Sequence, residues 1–237
     1  MPRPYLAYAL TAVVLAASPP GGARAAVDDP LALYGPELAF AVDRNGQMIG
    51  RHTVLFERDQ TGRLEVESRM QLEIPFLLGL VAYRFRYASS AQWRDGVLQH
   101  IHVTVDDDGK SRKIDLDWSG TEFEGQVDGA PVLLPGPLFP TDHWNRQAVG
   151  APHVLNTLTG RLADVAVTDH GAEQVETAHG PVQATRFEYT GDFRSEVWYD
   201  SEGRWVKLRF QGKDGSVITY RCETCRAEAQ PVPPVAG

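Results

Sequence analysis

The sequence has too little clustered positive charge to hold a polyanion. It carries 23 Lys and Arg against 31 Asp and Glu, which gives a formal net charge of -8 at pH 7. Affinity for a phosphate backbone rests on clustered cations, and the Lys and Arg residues here are scattered along the chain. We therefore expect no nucleic-acid partner.

No apolar run is long enough to span a bilayer. The run at residues 5–17 has about 13 residues, where a membrane helix needs about 20. Arg3 precedes it, and small residues around Ala23 and Ala25 follow it, which is the layout of a secretory signal peptide. We expect residues 1–25 to be removed and the mature chain, without a transmembrane segment, to be periplasmic. An uncleaved amphipathic anchor is the alternative.

Cysteine is scarce, and the two that occur, Cys222 and Cys225, have two residues between them and lie near the end of the chain. No second cysteine pair or nearby histidine completes the four ligands of a zinc site. A thioredoxin-like centre needs this motif at the start of a helix, whereas here it follows the last predicted strand. A structural disulfide is the leading interpretation for an exported protein, with redox or metal chemistry as alternatives.

The chain shows no alternation of strand and helix patterns, which argues against a parallel α/β fold. Alternating apolar and polar runs recur instead about every 8–12 residues, separated by turn signals such as Asn45-Gly46 and Asp95-Gly96. This pattern predicts a mainly β protein with a single antiparallel curved sheet or unclosed β-barrel and one or two short helices.

The same pattern sets the domain organisation. We expect one β domain over residues 26–226 and a disordered Pro-rich tail over residues 227–237. The stretches that favour short helices are residues 29–33 and 144–149.

Two neighbouring segments predict an apolar binding surface. In "VAYRFRYASS", the residues Tyr83, Phe85 and Tyr87 alternate with arginines and therefore share one face of a strand. The segment before it, residues 74–82, has almost no polar residue and includes Leu77 and Leu78. It is either a hairpin with a buried tip or an apolar lip for a lipid, since an exposed patch of this kind usually marks binding.

The last predicted hairpin has two distinct faces. Alternation assigns Val206, Leu208 and Phe210 to an apolar inner face. It assigns Trp205, Lys207 and Arg209 to an outer face. The long Lys and Arg side chains then meet water while their stems cover the sheet.

One stretch departs from the strand pattern, "LFPTDHWN", which contains Asp142, His143, Trp144 and Asn145. Pro140 excludes helix at the residue before it, and Thr141 or Asp142 can cap a short helix that starts near His143. Trp144 then fills the core and Asn145 bonds to backbone. An alternative is that His143, Trp144 and Asn145 contact a ligand at the end of a cavity.

Catalytic chemistry at this stretch has little support. No Gly-x-Ser-x-Gly elbow occurs, and adjacent residues of a strand point to opposite faces, so Asp142 does not readily orient His143. His100 and His102 share one strand face and could hold a metal with His143 or Asp142 as a third ligand. We assign neither a metal site nor a cofactor.

Several stretches together resemble a known group of proteins. The segments "YGPELAFAVDRNGQMIGRHTVLFERD", "YRFRYASSAQWRDG", "LFPTDHWN", "VLNTLTG" and "EVWYDSEGRWVKLRF" resemble an uncharacterised family of secreted proteobacterial proteins, a domain of unknown function. The closing hairpin is also similar to periplasmic β proteins that include the lipoprotein carriers of the Lol system. This resemblance implies an unclosed β-barrel around an apolar cavity, and it brings no catalytic residues.

These observations predict an exported, non-enzymatic binding protein of the periplasm for a hydrophobic ligand, a lipid or acyl chain. The predicted contacts are those at the apolar surface and the irregular stretch: Tyr83, Phe85, Tyr87, Leu77, Leu78, His143, Trp144 and Asn145. One alternative is an envelope protein-interaction or assembly factor. The other is a hydrolase or metalloenzyme centred on His143.

Overall fold

The computed structural model describes residues 29–75 and 81–227, and these form one large antiparallel sheet. The predicted signal peptide, Leu77, Leu78 and residues 228–237 of the predicted tail lie outside the described residues.

Fourteen strands and two short helices make up the described chain. The strands are β1 Glu37–Arg44, β2 Gln47–Arg58, β3 Leu64–Pro75, β4 Val81–Arg94, β5 Val97–Asp107, β6 Lys110–Trp118, β7 Glu122–Val127, β8 Ala130–Pro135, β9 His153–Asn156, β10 Arg161–Thr177, β11 Gly180–Gly191, β12 Ser195–Asp200, β13 Trp205–Gln211 and β14 Val217–Thr224. The helices are α1 Pro30–Tyr34 and a 3-10 helix at Arg146–Gly150.

The sheet is built from two meanders that meet at the chain ends. Its order is β8-β7-β6-β5-β4-β3-β2-β1-β14-β13-β12-β11-β10-β9, so the first strand pairs with the last. Strands β8 and β9 are the two edges, and within residues 29–75 and 81–227 they do not pair with each other. The predicted single antiparallel sheet, not closed into a barrel, is therefore confirmed.

Tight turns connect the strands of the first meander. Four of these turns place two successive residues at positive φ: Asn45 and Gly46, Asp95 and Gly96, Asp108 and Gly109, Asp128 and Gly129. This conformation matches the right-handed twist of the flanking strands, and Asn, Asp and Gly adopt it at low cost. The local sequence therefore fixes these hairpins.

The core lies on one face of the sheet, which we call the inner face. On β5, Ile101 and Val103 are buried there, whereas His100 and His102 point to the opposite, outer face and are partly exposed. Buried side chains from both meanders belong to one continuous cluster, which means that the sheet wraps around a common interior.

Trp205 corrects the predicted faces of the last hairpin. The pairing of β12 with β13 shifts between Trp198 opposite Lys207 and Tyr199 opposite Trp205, which leaves Val206 as an extra residue. Such a bulge turns the strand locally and redirects the next side chain. Trp205 consequently points inward, fully buried, with its ring centroid 4.2 Å from that of Phe40. The predicted outer position was wrong for Trp205.

Both predicted short helices are present, with different capping from that expected at the second. Asp29 caps α1 by accepting a hydrogen bond from the Leu31 backbone N–H at 3.2 Å. The 3-10 helix is capped by Asn145, which accepts from the Gln147 N–H at 3.0 Å, and not by Thr141 or Asp142. Neither helix, at five residues, is long enough to cross a bilayer, and none of the described residues form one that is.

Cys222 and Cys225 form a disulfide, as predicted, with their Cα atoms 5.8 Å apart. Both residues are buried, and the Cys222 carbonyl accepts a hydrogen bond from the Ala178 N–H at 3.1 Å. The disulfide therefore sits where the end of β14 meets the connection between β10 and β11.

Candidate functional site

The connection between β8 and β9 enters the interior of the sheet. Phe139 and Thr141 bond to Leu155 of β9 on either side of Pro140, at 2.8 and 3.0 Å. The chain then turns at His143, which has a positive φ of 57°. We call residues 139–145 the plug.

Trp144 is the centre of the plug and joins distant elements. Its ring lies edge-on to Phe56 of β2 at 5.5 Å and to Trp93 of β4 at 5.3 Å. Its backbone carbonyl accepts a hydrogen bond from the Tyr34 hydroxyl of α1 at 3.0 Å. The indole N–H donates to Asp142 Oδ2 at 2.9 Å, so both the indole N–H and the backbone carbonyl of Trp144 are hydrogen-bonded.

Asp142 is a buried carboxyl group that serves Trp144 and not His143. Desolvation raises the pKa of Asp142 to about 7, against the opposing effect of the Trp144 hydrogen bond. Among the described residues, no hydrogen bond joins its side chain to His143, and His143 Nδ1 is buried without a partner. The oriented Asp-His pair that a hydrolase needs is therefore not formed.

His143 lies in an aromatic surrounding. Its ring is 5.8 Å from that of Tyr189 and 5.7 Å from that of Trp205, and its carbonyl accepts from the Tyr199 hydroxyl at 2.8 Å. Burial lowers the pKa of His143 to about 4, which keeps the imidazole neutral at physiological pH.

His52 is a buried polar residue of the interior that was not among the predicted site residues. Its Nε2 is 2.7 Å from Ser68 Oγ, and burial, followed by the proximity of His143, lowers the pKa of His52 to about 3. His52 lies two residues before Val54 and four residues before Phe56, and both of these apolar side chains are buried. Residues at this spacing on a strand share a face, so the sequence alone predicts that His52 points inward.

The plug end of the interior has little room for a ligand. A cavity there, lined by Pro30, Leu33, Trp144, Asn145, Arg146 and Gly203, holds about 10 Å³. That is space for one water molecule at most.

At the opposite end of the sheet, the described residues form an apolar lining. It is formed by partly buried side chains at the ends of β3, β4 and β13, namely Ile74, Tyr83 and Phe210, together with Phe85 and Ile218, which are 8% exposed. We call this end the mouth. Val81, the first residue of β4, is 42% exposed beside it.

The structure therefore separates the predicted site residues into two groups. Trp93, which touches the plug, and Tyr83 at the mouth are ten residues apart on β4, or about 33 Å. Tyr87 lies between them, buried, and burial raises the pKa of its hydroxyl to about 12. His143, Trp144 and Asn145 belong to the plug, whereas Tyr83 and Phe85 line the mouth.

Three polar side chains interact at the edge of the mouth. The Tyr83 hydroxyl donates to Asp107 Oδ1 at 2.6 Å, and Lys213, from the turn between β13 and β14, places its Nζ 3.4 Å from Asp107 Oδ2. The Tyr83 hydrogen bond, aided by Lys213, holds the pKa of Asp107 below its ordinary value. The mouth thus combines an apolar lining with a charged rim.

The suggested metal set with His143 does not form. His100 and His102 lie on the outer face of β5, and Asp142 and His143 are buried inside the sheet. A sheet thickness separates them, so His143 and Asp142 cannot complete a site with that pair.

Comparison with known proteins identifies a family and a fold. Residues 40–223 match the family model described as Domain of unknown function (DUF6134). The crystal structure of a beta-barrel-like protein of domain of unknown function DUF1849 from Brucella abortus is similar at a TM-score of 0.58 and 11% identity, covering 81% of this chain and 97% of that one. The crystal structure of MucB is similar at a TM-score of 0.34 and 12% identity, covering 86% of this chain and 57% of that one. No curated protein matches.

Proposed function

This chain belongs to the DUF6134 family, a domain of unknown function, and we propose that it is an exported, non-enzymatic binding protein that holds a lipid or acyl chain at the mouth. The export part of the proposal is supported by the leader pattern in residues 1–25 and by the disulfide, since disulfides persist in oxidising compartments.

The observation that carries the proposal is the contrast between the two ends of the interior. At the plug end, aromatic rings fill the space around Trp144. At the mouth, Ile74, Tyr83 and Phe210 remain only partly buried. Covering such surface is favourable by about 25 cal/mol per Å², so an apolar chain laid over these residues is stabilised.

The rim of the mouth fits an amphiphile better than a plain hydrocarbon. Lys213 offers an ammonium group whose side chain is 94% exposed, next to the Tyr83 and Asp107 hydrogen bond. A ligand with an apolar chain and an anionic head group can contact the apolar lining with its chain and the Lys213 ammonium group with its head group. Leu77 and Leu78 stand between β3 and β4 in the sequence, and we extend the proposed contacts to them.

A fluorescent fatty acid titration tests the proposal. Val81→Asp puts a charge at the mouth, and we expect it to weaken binding at least tenfold because the apolar chain then meets a carboxylate. The matched control is Leu133→Asp on β8, which is 65% exposed and distant from the mouth. Native mass spectrometry of protein purified from cells should also show bound lipid. Identical masses before and after delipidation, with no fatty acid bound, would refute the proposal.

A second candidate, an envelope interaction or assembly factor, is favoured by the β8 edge. Among the described residues β8 pairs only with β7, and Leu133 is the most exposed large apolar side chain. An extended partner segment can add to such an edge through main-chain hydrogen bonds. The same two variants separate the two candidate functions. If Leu133→Asp no longer captures a partner protein and Val81→Asp still does, the partner binds at the β8 edge.

A further inference from the structure

A block of four metal-ligating side chains lies on the outer face of β5 and β6. His100 pairs across the strands with Asp117, and His102 with Asp115. The Nδ1 to carboxylate distances are 2.8 Å for the first pair and 2.9 Å for the second. The two pairs are adjacent because residues two apart on a strand share a face.

The block is close to the dimensions of a coordination sphere. Ligand atoms of His100, Asp115 and Asp117 all lie within 4.8 Å of one another. Around a tetrahedral ion with bonds of about 2.1 Å, ligand atoms stand about 3.4 Å apart. The fourth residue, His102, joins this group of three through the contact of its Nδ1 with Asp115. The four side chains are partly or largely exposed, so they have room to rotate toward a common ion.

The two aspartates are free of the cations that usually neutralise carboxylates. Seven other aspartates of the described chain form ion pairs with Arg or Lys: Asp29, Asp43, Asp59, Asp107, Asp128, Asp200 and Asp214. Asp115 and Asp117 pair only with histidines, within residues 29–75 and 81–227. Glu124 of β7, directly opposite Asp117, adds to the negative potential.

We propose that His100, His102, Asp115 and Asp117 form a surface site for a divalent transition metal of the Zn²⁺ class. Two imidazoles and two carboxylates without a thiolate suit Zn²⁺, Cu²⁺ or Ni²⁺, whereas Mg²⁺ and Ca²⁺ prefer oxygen ligands alone. In each pair the histidine Nδ1 faces a carboxylate oxygen, so a bound ion would take the place of the proton that the two atoms share.

The chain contains a matched control for this site. His153 of β9 pairs across the strands with Asp164 of β10 at 2.7 Å, the same contact as in the block, but as a single pair. One imidazole and one carboxylate supply too few ligands for tight binding. Any general attraction of metal to a surface histidine would affect this pair equally.

Calorimetric titration of the untagged full chain with Zn²⁺ tests the site. We expect one ion per chain, with binding weakened about tenfold or more in His100→Ala and in Asp115→Asn, and unchanged in His153→Ala. Co²⁺ should give the absorption of a four-coordinate ion in the parent and lose it in His100→Ala. Melting of the metal-free variants checks that they fold. The proposal is overturned if Zn²⁺ does not bind, or if His100→Ala and His153→Ala bind it like the parent.

Discussion

Two residues of the plug, His143 and Asn145, have buried polar atoms without hydrogen-bond partners among the described residues. His143 adopts a positive φ of 57°, and its Nδ1, like Asn145 Nδ2, is buried without a partner among the described residues. Unmet polar groups of this kind cost about 1–3 kcal/mol each. Hydrogen bonds from Tyr199 and Tyr34 to the His143 and Trp144 carbonyls keep the backbone in this conformation. The packing of the aromatic rings around the plug therefore offsets the free-energy cost of leaving His143 Nδ1 and Asn145 Nδ2 without hydrogen bonds.

Asp142 makes the stability of the protein depend on pH. Its pKa is about 7 in the folded chain, whereas the ordinary pKa of an aspartate is 3.8. Between these pH values the folded chain therefore holds a proton that the unfolded chain has lost. Stability from this group therefore falls as pH rises from about 4, and the loss is complete above about 7. At about 1.4 kcal/mol per pKa unit, the full loss is on the order of 4 kcal/mol.

The variant Asp142→Asn should remove this loss. Asn keeps an oxygen that accepts the Trp144 indole N–H and carries no charge, so we expect it to stabilise the protein at pH 8 by a few kcal/mol and to have little effect at pH 4. Urea denaturation at both pH values measures the difference. Asp164→Asn, an exposed aspartate, is the control. Destabilisation by Asp142→Asn at pH 8 would show that the carboxylate is required in its charged form.

At the level of elements, the positions of the hairpins follow from local sequence. The face of the sheet on which a side chain lies does not always follow from it. Turns at Asn45 and Asp95 were predictable because Asn-Gly and Asp-Gly favour the positive φ observed there. The inward position of Trp205 was not, because the bulge at Val206 arises from pairing with β12 and leaves no local signal. The capping role of Asn145 was not predictable from local sequence either, because it depends on where the plug ends and the 3-10 helix begins.

The shared face of the aromatic residues of β4 was predictable, and their separation from the plug was not. Tyr83, Phe85 and Tyr87 were expected on one face, and they lie together on the inner face of β4. Their distance from His143 and Trp144 follows from the path of the β8–β9 connection, which enters the interior at the far end of β4. That path depends on contacts between residues far apart in sequence, such as Tyr34 with Trp144.

The disulfide is a local reinforcement of the last strand. It closes a loop with a sequence separation of 3, for which loop-closure entropy alone gives about 2 kcal/mol. We expect the double variant Cys222→Ser, Cys225→Ser to lower the free energy of unfolding by about that amount, measured by urea denaturation. Reducing agent should bring the parent to the same value and leave the variant unchanged. An unaltered midpoint in both cases would mean that the disulfide does not stabilise β14.

The whole molecule is organised around a sheet that is open along one seam and filled at one end. Strands β8 and β9 do not pair, so among the described residues no ladder of backbone hydrogen bonds closes the seam. The chain between them supplies the plug instead, and Trp144 contacts α1, β2 and β4 together. Side-chain packing at the plug thus takes the place of closure by hydrogen bonds between β8 and β9.

This arrangement predicts a long-range effect of Trp144→Ala. Removing a fully packed Trp costs about 3–5 kcal/mol, and the loss here should spread because one ring links elements from Tyr34 to Trp93. Hydrogen exchange should rise together in α1, β2 and the end of β4, although these segments are far apart in sequence. Trp118→Ala is the matched control, since Trp118 is partly buried and packs on Phe123 at 5.0 Å, outside the plug. If exchange rises only within residues 139–150 of Trp144→Ala, the plug does not hold the sheet together and the seam must be stabilised by other contacts.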